Sequence, residues 1–226
     1  MNDKISSLVE KAKRGDTKAQ LELADNYLDG EFVEQNKEEA MKWYTEAAKR
    51  GDCQSQLELA GIYEGHEDSV ENIKLSLYWY KKASDSGFAP AQYSLASLYE
   101  EGKMVAKDIS HAIDLYKSAA SKDNIDSINR LAKIYEDGIG VDANINIAIA
   151  YFKKSSDLGD VFGKAKLIEY KNKAGLCEAD VGVLEAQIQE YLTKNGGSIE
   201  SIRFGVYIGY ALILLFAVVT VVFLIL

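Results

Sequence analysis

Gly15, Gly51, Gly87, Asp123 and Gly159 stand 36 residues apart without an insertion. Each opens a stretch that reads like the others, so the chain must fold as a repeat array rather than around one central core. The first half of a unit runs Ala19, Leu23, Ala24, Tyr27, Gly30. Its copies run Leu59, Ala60, Tyr63, Gly65, then Ala91, Leu95, Ala96, Tyr99, Gly102, then Leu131, Ala132, Tyr135, Gly138. The second half gives Ala40, Trp43, Tyr44, Ala47, Ala48, with counterparts Ser76, Trp79, Tyr80, Ala83, then Ala112, Leu115, Tyr116, Ala119, Ala120, then Ala148, Tyr151, Phe152, Ser155. Both halves carry helical spacing, which predicts two short antiparallel helices per unit, a helix A and a helix B. Gly30, Gly65, Gly102 and Gly138 fall where helix A should stop and are expected to take the left-handed conformation there. Ala24, Ala60, Ala96 and Ala132 permit close helix approach, and the tyrosine one turn on fills the space beyond. A two-helix layer cannot bury its apolar faces alone, so stability must come from stacking on neighbours.

Those residues, Ala then Leu-Ala then Tyr then Gly in helix A, followed by Ala, Trp-Tyr or Leu-Tyr and Ala-Ala in helix B, resemble Sel1-like repeats, relatives of the tetratricopeptide solenoids. The resemblance covers residues 15–158 as four repeats. It implies an all-α fold, a right-handed α-solenoid of helix-turn-helix repeats. Residues 1–14 read as an N-terminal half-repeat, because Leu8, Val9 and Ala12 copy the end of a helix B. Residues 159–194 read as a capping half-repeat and an amphipathic helix. Gly163 and Lys171 depart from the pattern as a terminal unit should, and the solenoid is expected to end near Ala174. Glu178 to Thr193 carries Val181, Leu184, Ile188, Tyr191 and Leu192 at helical spacing, a helix expected to fold back on the array. Residues 195–203, opening with Asn195, Gly196, Gly197 and Ser198, form a flexible joint.

Residues 204–226 are 23 in number and carry no charge. As a helix they would be about 34 Å long, enough to cross a bilayer. Tyr207 and Tyr210 near the entry side and Arg203 just outside it fit an interfacial boundary. Gly205 and Gly209 form a GxxxG step through which two such helices can pair, giving a homodimer. Met1 to Ser7 contains Asp3 and Lys4 and no apolar signal core, so the repeats are expected to stay cytoplasmic, a reading that Lys194 and Arg203 support. The expectation is a single-pass, tail-anchored protein of a bacterial inner membrane or a eukaryotic organelle membrane. The chain has 35 acidic and 26 basic residues, a net charge of −9, which argues against nucleic-acid binding.

Little in the chain points to chemistry. Cys53 and Cys177 lie in different units without metal-ligand spacing and read as reduced, structural thiols. His66 sits in an acidic turn beside Glu67, Asp68 and Glu71, and His111 opens a helix B. No nucleophile triad, phosphate loop or dinucleotide fingerprint occurs. The expectation is therefore no enzyme, with no catalytic residue, cofactor or metal.

A binding function needs a surface. If Ala19, Leu23, Ala24 and Tyr27 face inward, positions such as 21, 25 and 28 should face the inner curve of the superhelix. One row reads Leu21, Leu57, Tyr93, Asn129, and another Leu28, Glu64, Glu100, Glu136, with Asp25 between them. The apolar members would grip a protein or peptide, or else pack sideways between adjacent repeats; the glutamates would favour a basic ligand. The Sel1 resemblance implies an adaptor or scaffold. Two alternatives are an immunity or inhibitor protein that clamps a toxin or enzyme, and a structural subunit of a membrane complex built through the span.

Overall fold

The computed structural model describes residues 3–65 and 69–174, and among these it contains helices and no strand. In chain order they are α1 (Asp3–Lys13), α2 (Thr17–Asp29), α3 (Lys37–Lys49), α4 (Cys53–Glu64), α5 (Val70–Asp85), α6 (Ala89–Glu101), α7 (Ile109–Ala120), α8 (Ile125–Asp137), α9 (Ile145–Asp157) and α10 (Val161–Ala174). Each helix packs on the next within two compact units, residues 1–124 and 125–226. The architecture is an all-α repeat solenoid.

Helix starts follow from short polar side chains at repeating positions. Asp16 and Asp52 accept from the amides of Ala19 and Ser55 at 3.1 and 2.7 Å, capping α2 and α4. Asn36, Asp108 and Asn144 do the same for α3, α7 and α9. Each such cap satisfies an orphan amide of the first turn, worth about 1 kcal/mol. Between repeats the chain turns at Gly15, Gly51, Gly87 and Gly159, with φ of +89°, +93°, +78° and +90°. Asp123 fills the equivalent place at φ +60°, one of the few side chains that tolerate it.

In the first unit the helix A positions divide their neighbours. Ala19 and Leu23 of α2 cluster with Ile5, Leu8 and Ala12 of the preceding α1. Ala24, one residue on, clusters with Ala40, Tyr44 and Ala48 of α3, and Leu59, Ala60, Trp79, Tyr80, Leu95 and Leu98 extend that core. Burying a leucine such as Leu23, which has no exposed surface, contributes about 1.5–3 kcal/mol. Buried glutamines link consecutive repeats: Gln20, Gln56 and Gln92 donate Nε2–H to the carbonyls of Ala12, Ala48 and Ser84 at 3.0, 3.0 and 3.3 Å. Each thereby satisfies a carbonyl in the last turn of the preceding helix.

In the second unit Leu131, Ala132, Ile134, Ile147, Ala148 and Phe152 are buried. The Tyr135 and Tyr151 rings stack with centroids 5.9 Å apart, and Phe152 meets Phe162 and Tyr170 of α10 at 5.8 and 6.2 Å. Gly163 permits this approach: a Cβ there would stand 2.7 Å from the Phe152 carbonyl oxygen and 2.8 Å from Ser155 Cβ.

One helix end differs from expectation. Gly30, Gly102 and Gly138 are left-handed at φ +73°, +75° and +73°, but Gly65 is right-handed at φ −64°. Gly65 lies one residue short of the position 36 after Gly30, so it still belongs to the helical turn and its N–H bonds Gly61 O. Among the described residues no helix is long and apolar enough to cross a membrane. The expected span 204–226 with Gly205 and Gly209, the segment 178–193, the joint, His66 and Cys177 lie outside the described residues.

Candidate partner-binding surface

The polar members of the two rows turn toward the repeats themselves. In the first unit the Tyr44 hydroxyl donates to Asp25 Oδ1 at 2.7 Å, the Tyr80 hydroxyl to Glu64 Oε2 at 2.6 Å, and the Tyr116 hydroxyl to Glu100 Oε2 at 2.9 Å. One bond thus ties helix B to helix A in each of the first three repeats. Where position 28 is leucine, the carboxylate moves one turn earlier to Asp25, so the tyrosine keeps its acceptor. In the second unit the tyrosine's place is taken by Phe152, which has no hydroxyl, and Glu136 instead accepts from Tyr170 of α10. Lys133 and Lys166 also reach Glu136, at 2.5 and 3.5 Å.

The expectation that the glutamate row faces away from the repeat core is corrected here, because Glu100 is only 8% exposed. The reason is periodicity. Position 28 lies four residues after Ala24 and shares its buried face. Lys103 pairs with Glu64 at 3.0 Å, reaching back from the repeat that follows. Asn129 donates to Asp160 Oδ2 at 2.9 Å, and Asp160 also accepts from Ser155 Oγ and the Gly163 amide, both at 2.8 Å.

The apolar members are half-buried. Leu21, Leu28 and Leu57 pack against the central cluster of the first unit, the sideways packing that was the alternative to gripping a ligand. Tyr93 lies 5.6 Å from the Tyr116 ring. Leu21, Leu57 and Tyr93 each keep part of their surface open on α2, α4 and α6.

Electrostatics distinguish α2 and α4 from the rest. Burial pushes the Asp25 carboxyl above the usual carboxylate range, and Asp29, Asp52 and Glu22 push it further, against the lowering bond from Tyr44. Burial, the bond to Asp25 and the charges of Asp25, Glu58 and Asp29 hold the Tyr44 hydroxyl far above its ordinary value. Five carboxylates therefore share one neighbourhood. In the second unit, burial pushes Glu136 up, but the bonds from Lys133 and Tyr170 and the charges of Lys133 and Lys166 outweigh it and lower its pKa. Asp160 is lowered chiefly by the Gly163 amide and Asn129.

His111 is exposed and sits edge-on to Tyr99 at 4.5 Å. Cys53 is a free thiol. Among the described residues no three His, Cys, Asp or Glu side chains gather as metal ligands. Sequence reasoning missed the tyrosine–carboxylate ties and the buried glutamines. The glutamines carried a readable signal, since Gln20, Gln56 and Gln92 recur at the 36-residue period.

No curated protein sequence matches the chain. Among solved structures, a protective antigen present in uropathogenic Escherichia coli strains, with an SLR fold, is similar at 31% identity and a TM-score of 0.67, over 76% of this chain and 37% of that one. The chain thus spans little more than a third of that relative. A Sel1 repeat protein from Oxalobacter formigenes is similar at 24% identity and a TM-score of 0.63, covering 73% of each chain. The family model for the Sel1 repeat matches four times in succession, at residues 17–52, 53–88, 89–124 and 125–160. These bounds keep the period set by the repeating glycines and hold one helix A and one helix B each, and on them the chain belongs to the Sel1 repeat family.

Proposed function

We propose that this chain is a non-enzymatic adaptor that binds a basic protein segment on the open side of α2, α4 and α6, held at a membrane by residues 204–226 with the repeats on the cytoplasmic side. The Sel1 repeat is a protein-interaction fold, and the finer reading rests on one observation. Leu21 and Leu57 stay half-open on α2 and α4, which also carry Glu22, Asp25, Asp29 and Glu58 with Asp52 at the cap of α4, and Asp25 is raised first by burial and then by Asp29, Asp52 and Glu22. A cationic side chain entering that neighbourhood relieves repulsion already present, while the leucines and Tyr93 supply apolar contact.

The test is a detergent-solubilised pull-down from the native host with three proteins: the intact chain, a chain ended at Ser198, and a full-length Leu57→Ala, Tyr93→Ala variant checked by thermal melting. A stoichiometric partner that stays with the shortened chain, leaves with the double variant and weakens with added salt supports the adaptor. A partner lost with residues 199–226 but indifferent to the double variant replaces it with the membrane-complex subunit.

A further inference from the structure

In each of the four repeats the residue after the helix A leucine is an alanine with no exposed surface: Ala24, Ala60, Ala96 and Ala132. This position meets the repeat's own helix B, as Ala24 does with Ala40 and Tyr44. In α10 it is occupied by Ile168, which is 49% exposed. Gly163, at the position that meets the preceding helix B, is buried against α9. So α10 is covered on its α9 side, and among the described residues nothing takes the place of the helix B that every other helix A carries on its Ile168 side. A half-exposed isoleucine is also not the polar residue that a terminal, uncovered face calls for.

The sequence supplies a cover in the same register. Asp180 stands 36 residues after Asn144, the cap of α9, and continues the series of Asn36 and Asp108. The helix B core positions Ala40, Tyr44, Ala47 and Ala48 recur as Leu184, Ile188, Tyr191 and Leu192, all apolar. Asn195 follows in the place of Gly51 and Gly159, and asparagine tolerates the left-handed region. We infer that residues 181–194 are the helix B of a fifth repeat and dock on α10 over Ile168.

The occupant is this segment rather than a second copy because its tether is short. Ala174 and Asp180 enclose five residues, as do Gly30 and Asn36, Gly102 and Asp108, and Gly138 and Asn144. A link of that length holds the segment at an effective concentration in the millimolar range. Ile168 against Leu184 replaces the alanine pair Ala24 and Ala40, so the seam is wider and aliphatic. The array then ends at Lys194 rather than near Ala174.

The test uses the full chain in detergent with Cys53→Ser and Cys177→Ser. Under mild oxidation, Ile168→Cys with Leu184→Cys should form an intramolecular disulfide at least tenfold faster than Ile168→Cys with Glu190→Cys, which lies on the opposite face of the helix. In the unsubstituted chain, amides of 184–194 should exchange at least tenfold more slowly than in Ile168→Asp, while Val161→Asp, at a site 78% exposed, leaves them protected. Equal disulfide rates, a disulfide joining two chains, or exchange of 184–194 that is unprotected or indifferent to Ile168→Asp overturns the inference.

Discussion

Tyr116 and Glu100 show what a single residue does in this array: a buried carboxylate receives a hydroxyl from the facing helix, and the pair welds one repeat together. Tyr116→Phe removes a hydroxyl donor from a carboxyl acceptor with little exposure, and should cost about 1–3 kcal/mol in urea unfolding. Asp25 behaves oppositely with pH. Its folded-state pKa is raised by burial and by Asp29, Asp52 and Glu22, so its contribution to stability is fullest below the ordinary carboxylate value and declines as pH rises through the raised one. Asp25→Asn keeps an acceptor for Tyr44 without the charge. It should raise the melting temperature near about pH 7, with the gain vanishing below about pH 4. Asp160 and Glu136 are lowered instead, so the stability they lend is present above the ordinary carboxylate value and lost as pH falls through their own.

Among the elements, α10 depends on a side chain that is missing. A Cβ at Gly163 would meet backbone of α9 at 2.7 Å, so Gly163→Ala should push the helices apart at about 1–3 kcal/mol, seen as faster amide exchange in α10. The helices and their period were legible because Ala, Leu and Tyr recur at fixed offsets and nothing interrupts the count. Gly163 was legible only as a departure from the alanine; that it marks close contact needed the position of α9. The binding rows were harder. Leu21 and Leu57 read as outward or sideways; in the structure they pack on the core and keep an open edge. The glutamates misled because a row on one helix does not reveal a tyrosine 16 residues further along, and only the antiparallel pairing brings the two together.

For the whole chain, the decisive asymmetry is chemical: a net charge of −9 precedes 23 residues with none. If that stretch anchors the protein, the full chain should stay with membranes through an alkaline carbonate wash, and a chain ended at Ser198 should be released. The register of the repeats and the register of their support differ by one helix, however. Glu136 belongs to the fourth repeat by count, yet its hydroxyl donor is Tyr170 of α10, the helix beyond that repeat, because Phe152 cannot serve. Cutting the protein at residue 160, where the last counted repeat closes, would therefore strip Glu136 of Tyr170 and Lys166 and leave it Lys133 inside the piece that was kept. A repeat protein of this kind can be lengthened or shortened by evolution only at seams where the debt of one unit is not held by the next, and the junction after Asp160 is not such a seam.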